Sequence, residues 1–226
     1  VTAYRRSSIA TPKPYVLHSY WRSTTSYRAR IVLNLKGLDY QVRSVDLVAG
    51  DQRSAAFRAL NASSGVPVLE LPSGEMLSQS LAIADYVDNL RPEPPLLPAD
   101  PLVRAKALEA AQIVALDIHP INNLKVVNTL KTDFGADAQA AKSWMQNWMV
   151  EGFSALEAKL PTVQPFPFSD GPGLFEACLV AQLYNAHRWN VDLSPLPKIR
   201  AVEQACLGLP AFAGAHPDRQ PDAPQA

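Results

Sequence analysis

The sequence predicts an α/β unit followed by an all-α unit, and three observations carry that prediction. Up to about residue 90, short β-branched and aromatic runs alternate with helical periodicity. Arg91-Pro92-Glu93-Pro94-Pro95-Leu96-Leu97-Pro98 is too rich in proline to be regular helix or strand. From Leu102 onward the apolar spacing is helical throughout. The implied division is a tail over 1–14, an α/β domain over 15–91, a linker over 92–101, a helical domain over 102–217 and a polar tail over 218–226.

Within the first domain, Tyr15 to Tyr20 reads as a strand and runs into Trp21-Arg22-Ser23-Thr24-Thr25-Ser26-Tyr27-Arg28-Ala29-Arg30. Ser23 to Ser26 are four consecutive hydroxyl residues at the start of a helix that Gly37 ends, so each is a cap candidate for the unpaired N–H groups there. A helix start flanked by arginines favours an anion; the plainer reading is a capped helix with exposed arginines. Tyr40 to Leu47 is a second strand, Ala55 to Leu60 a short helix, and Val66 to Leu71 with Met76-Leu77 a hairpin about Ser73-Gly74. Pro67 cannot donate to a ladder, so it opens its strand or lies at an edge. Val66-Pro67 is a candidate cis peptide, which would turn the Val66 backbone toward a ligand, although trans is the less costly form in general and the sequence alone favours it. A serine of Ser78-Gln79-Ser80 is expected to cap the helix of Leu81, Ala84, Val87 and Leu90. In the second domain, helices are expected over Pro101 to His119 (ended or kinked by Pro120), Asn122 to Lys131, Ala136 to Leu160, Leu174 to Trp189 and Pro197 to Leu207.

Composition excludes more than it identifies. The 226 residues balance 21 basic against 21 acidic side chains, which offers nothing to nucleic acid or an anionic membrane. No apolar run reaches the ~20 residues that span a bilayer. Cys178 and Cys206 are too few for a disulfide framework, and the four histidines lack metal-ligand spacing, so no metal site is expected. Glycine-rich phosphate loops and serine-hydrolase elbows are absent as well. Residues 1–14 are basic and hydroxylated without an acid; a frayed tail and a transit-peptide remnant both fit, and the cytoplasm is the default.

The order of elements, with Val66-Pro67 and Gln79-Ser80, resembles a thioredoxin-like domain followed by a helical domain, the glutathione transferase architecture. Tyr20 to Ile31 is similar to the zeta-class signature. Leu35-Lys36-Gly37-Leu38-Asp39-Tyr40, Gln79-Ser80-Leu81-Ala82-Ile83, Asp117-Ile118-His119-Pro120-Ile121-Asn122-Asn123, Val191-Asp192-Leu193-Ser194-Pro195 and His216-Pro217-Asp218-Arg219-Gln220-Pro221-Asp222 resemble the same class. The resemblance covers about Tyr15 to Asp222. It implies a glutathione-dependent cis–trans isomerase of maleylacetoacetate or maleylpyruvate, acting in aromatic catabolism as a homodimer with a small dicarboxylate substrate. By the same resemblance, Ser23 meets the glutathione sulfur, with Thr24, Thr25 and Ser26 completing the turn. Gln52, Val66, Gln79 and Ser80 bind the tripeptide, His119 and Asn123 close over it, and Arg22 and Arg188 hold the substrate carboxylates. Arg188 also has a possible local partner in Asp192.

Three departures from the pattern stand out. Thr25 replaces the usual cysteine, which disfavours chemistry that needs an enzyme thiol. Gly65 replaces a glutamine that contacts glutathione. Gly173-Leu174-Phe175-Glu176 replaces a Thr-x-x-Asp capping box, with loss of a reciprocal side-chain bond. A general transferase that conjugates electrophiles such as α-haloacids, and a non-catalytic glutathione-binding scaffold, are the alternative functions.

Overall fold

A computed structural model describes residues 13–224. The first element is strand β1, Tyr15–Ser19, followed by helix α1, Thr24–Leu35, and strand β2, Tyr40–Ser44. Helix α2, Ala55–Leu60, leads to strands β3, Val68–Glu70, and β4, Met76–Ser78, and helix α3, Ser80–Leu90, closes the series. The four strands form one sheet in the order β2-β1-β3-β4. β1 pairs with β2 in parallel, Leu17 opposite Val42, while β3 is antiparallel to both β1 and β4. This is the thioredoxin-like arrangement. Pro67 stands just before β3, where its missing N–H costs no ladder bond, and the Val66–Pro67 peptide is cis.

The segment from residue 91 to 100 has no regular structure. Helix α4, Pro101–Gln112, follows, capped by Asp100 through the N–H groups of Leu102 and Val103. The expected single helix to His119 is not what forms. The chain widens into a π-helical stretch at Ile113–Ile118 and then makes a short helix α5, His119–Ile121. Pro120 lacks the N–H that an unbroken α-ladder requires, and the wider turn accommodates it. Helices α6, Leu124–Thr132, α7, Ala138–Lys159, α8, Leu174–Arg188, and α9, Pro197–Leu207, lie within a few residues of expectation. Helix α10, Pro210–Ala215, was not legible in the sequence.

α8 is buried along most of its length and forms the axis of the helical half, with Phe175, Leu179 and Leu183 in the core. That core is continuous with Tyr27, Ile31 and Val32 of α1 and Ala84 of α3, so one apolar mass spans the two halves. Gly173 caps α8 where a Cβ would collide with the Leu96 carbonyl, which accepts the Leu174 N–H at 2.8 Å. Half of the capping box survives the glycine: the Glu176 carboxylate accepts the Gly173 N–H at 2.8 Å.

The expected polar tail is also revised. Pro217–Arg219 forms a 3₁₀ turn, Tyr184 Oη donates to Asp218, and the Trp21 N–H donates to Asp222 at 2.9 Å. The chain end therefore folds back on the hydroxyl turn. The expectation for residues 1–14 falls almost wholly outside the described residues.

Candidate active site

The hydroxyl turn is built by hydrogen bonds whose direction can be counted. Ser23 is the N-cap of α1, and its Oγ accepts the Ser26 N–H at 3.2 Å. Thr25 Oγ1 lies 2.8 Å from the Val66 carbonyl and 3.0 Å from Ser23 Oγ. A carbonyl oxygen only accepts, so the single Thr25 hydrogen goes to Val66. Ser23 is then the donor to Thr25, and its hydrogen lies along the turn rather than toward the cavity. The Val66 carbonyl, expected to face a ligand, already carries one bond.

A cavity of about 270 Å³ opens over this turn, at the seam between the α/β half and the helical half. Arg22, Ser23, Thr24, Thr25, Gln52 and Val66 line it from one side, and His119, Asn123 and Arg188 from the other. A smaller recess of about 50 Å³ shares Thr25 and Val66 with it and ends at Gln79 and Ser80. Ser26 lines neither: it is fully buried beneath the turn and contributes only its N–H to Ser23. The cap of α3 also differs from expectation. Gln79 occupies it at φ 71° without a side-chain bond to the helix, and Ser80 is the first helical residue. Its hydroxyl accepts from Arg28 Nη1 at 3.1 Å. Asn123 caps α6 through the Lys125 N–H.

Two arginines, one from each half, line the same cavity. Partial burial, then the neighbouring Arg22, lower the Arg188 pKa from its ordinary value. Arg188 Nη1 donates to Asn185 Oδ1 at 3.2 Å and makes no ion pair with Asp192, whose carboxylate instead accepts the Ser194 N–H. Two cations lining one cavity favour an anion there. Arg53 and Lys125 add two more cationic side chains to the lining, and Tyr20 and Trp189 add aromatic surface. Sequence reasoning missed all four, because nothing in the sequence spacing brings them to one cavity. His119 is neutral at neutral pH: burial foremost, then the Arg28 charge, lower its pKa to about 4. Gln52 presents a buried Oε1 with no partner, while its Nε2 donates weakly to Leu47 O at 3.5 Å.

Arg30 holds the turn in place. It is fully buried, and its guanidinium donates to Ser19 Oγ, the Trp21 carbonyl and the Ala215 carbonyl. Burial lowers its pKa to about 10, so it remains charged. The reading of this helix start as one with exposed arginines is therefore reversed for Arg28 and Arg30, which are 2% and 0% exposed.

A thioredoxin-like sheet joined to a helical bundle, with a hydroxyl-capped α1 at the seam, defines the glutathione transferase class. The family model "Glutathione S-transferase, N-terminal domain" matches residues 22–90. The maleylacetoacetate isomerase of Pseudomonas aeruginosa is 44% identical over 212 residues, 93% of this chain and 99% of that relative. The holo structure of a bacterial zeta-class maleylpyruvate isomerase aligns with a TM-score of 0.90 at 43% identity, covering 92% of this chain and 100% of that one. The maleylacetoacetate isomerase of Anaeromyxobacter dehalogenans, solved with glutathione in its active site, aligns at 0.84 and 41% identity, covering 93% and 98%. The chain belongs to the zeta-class glutathione transferases, in the maleylacetoacetate and maleylpyruvate isomerase family.

Proposed function

We propose that this protein is a glutathione-dependent isomerase that converts maleylacetoacetate or maleylpyruvate to its trans isomer in aromatic catabolism. The observation that carries the reading is the Arg22–Arg188 pair, one from each half, flanking the hydroxyl turn within one cavity. A dicarboxylate fits between two such cations, and a thiol fits at the α1 N-terminus.

The residues present also suit glutathione. Gln52 has an unpartnered buried oxygen for a peptide N–H, and the Val66 carbonyl has a second lone pair. The α3 N-terminus lacks a side-chain cap, which leaves its first N–H groups for a carboxylate. Bound glutathione supplies the thiolate whose reversible addition to the cis double bond permits rotation before elimination. Ser23 holds that sulfur by turning its hydrogen from Thr25 into the cavity. The α1 N-terminus and the Arg22 charge favour the thiolate over the thiol. Arg22 and Arg188 orient the substrate carboxylates and stabilise the negative charge that develops on the conjugated carbonyl. Neutral His119 and Asn123 form the opposite wall and offer hydrogen bonds without a competing charge.

Family membership and the apolar surface at Leu90 and Leu102, 46% and 65% exposed at the ends of α3 and α4, support a homodimer. Two free, buried cysteines support a reducing compartment such as the cytoplasm.

The test is cis–trans conversion of both maleyl acids with and without glutathione. The expected result is glutathione-dependent turnover that Arg188→Ala reduces by at least tenfold, with glutathione affinity unchanged. Conjugation of α-haloacids with no turnover of either maleyl acid would identify a general transferase instead. Glutathione binding with neither activity would leave a scaffold.

A further inference from the structure

Arg28 is a buried cation with almost no partners. It lies on α1 facing α3 and α8, is 2% exposed, and makes one side-chain hydrogen bond, from Nη1 to Ser80 Oγ. Its Nε and Nη2 are buried and unpartnered, and no carboxylate forms an ion pair with it among the described residues. A guanidinium taken out of water without an anion is unfavourable, and an apolar side chain of similar volume would avoid the penalty. The free fold does not account for an arginine here.

The one bond that Arg28 makes indicates what does. Arginine only donates, so Ser80 is the acceptor and its own hydrogen remains for another partner. Ser80 closes the small recess beside Val66, where α3 begins at Gln79 without a side-chain cap. The recess thus combines a hydroxyl donor, the positive end of an eleven-residue helix and a cation directly behind the hydroxyl. No cationic side chain lines the recess itself. Such a site suits a carboxylate whose counter-charge acts through one intervening group.

We propose that Arg28 is a positioning residue for glutathione: the buried counter-charge of the γ-glutamyl α-carboxylate, acting through Ser80. The proposal rests on the glutathione reading above and adds a residue that touches neither cavity. Ligand binding gives the buried guanidinium the anion it lacks, so its penalty in the free protein becomes a preference for ligands carrying that carboxylate.

The test compares glutathione with the analogue whose γ-glutamyl α-carboxylate is a carboxamide. Dissociation constants are measured by calorimetry for the wild type, Arg28→Met and Arg28→Gln, alongside ligand-free stability in urea. Arg28→Gln keeps a donor for Ser80 without the charge and serves if the methionine variant does not fold. Both variants are expected to be at least as stable as the wild type without ligand. Both are expected to bind glutathione about tenfold or more weakly, with affinity for the carboxamide almost unchanged. Equal losses for the two ligands, or no loss for either, would overturn the proposal. If the wild type binds no glutathione, the glutathione reading itself fails; binding by the wild type with unchanged discrimination in both variants defeats the Arg28 proposal alone.

Discussion

Glu176 sets two forces against each other, and its replacement by glutamine measures which one wins. The residue is 2% exposed at the third position of α8, with Oε2 accepting the Gly173 N–H and Oε1 buried without a partner. The helix N-terminus and that bond favour the carboxylate, whereas burial favours the acid. Burial dominates and raises the pKa from 4.5 to about 7. A carboxyl whose folded pKa exceeds its unfolded value gives stability that is fully present below pH 4.5 and is lost as pH rises through 7. At about 1.36 kcal/mol per unit, the loss across that window is about 3 kcal/mol. Glutamine keeps an oxygen for Gly173 but does not titrate. Glu176→Gln is therefore expected to be about as stable as the wild type at pH 5 and about 2–3 kcal/mol more stable at pH 8.5. Urea unfolding of both proteins at several pH values, read as the difference between them, cancels the other titrating groups. A difference that stays flat, or a variant that falls progressively behind as pH rises, would show that the ionised cap is the favoured state and refute the reasoning.

Further substitutions probe the hydroxyl turn and the packing of α7 against the π-helical stretch. Thr25→Val removes the acceptor that holds the Ser23 hydrogen, so the thiol pKa of bound glutathione, followed by thiolate absorbance, is expected to stay level or fall. Ser23→Ala should raise it by about one unit, the cost of one hydrogen bond to a charged group; a rise of that size in Thr25→Val would make Thr25 the donor to sulfur. At Gly152, a Cβ would meet Ile118 Cδ1 at 2.7 Å and its Cγ1 more closely still. Gly152→Ala should cost about 1–3 kcal/mol in urea unfolding, and adding Ile118→Ala should cost less than the two single losses together.

What was legible in the sequence is local. The hydroxyl run after an apolar strand, the proline before β3 and the helical periodicity of α3 each depend on neighbours a few residues away, and each held its place. Arg28 and Arg30 did not read correctly because a charged residue on a short helix is ordinarily at the surface. Their burial depends on Ser80 and Ala215, 52 and 185 residues along the chain. The serine expected to cap α3 proved to be Gln79 at positive φ, a conformation that a hydroxyl pattern does not reveal. The π-helical stretch before Pro120 escaped for a related reason. Its apolar residues satisfy α periodicity, and only the packed structure shows how the chain relieves the missing N–H.

Those distant contacts also explain why the site belongs to the whole chain. The backbone around Ser23 is fixed from three directions: by Thr25 on Val66, by Arg30 on Trp21 and Ala215, and by Asp222 on the Trp21 N–H. Beneath it, Tyr27, Tyr184 and His216 pack edge-on, with ring centroids 5.4–6.1 Å apart, and join α1, α8 and the folded-back C-terminal segment. A hydroxyl can select a thiolate only if its position is fixed before the sulfur arrives, because reorganisation on binding would consume the stabilisation it gives. The α/β half alone has the hydroxyls, the α1 N-terminus and Arg22. It lacks Arg188, His119 and the Ala215 and Asp222 anchors, so the proposed anion site is complete only where the two halves meet.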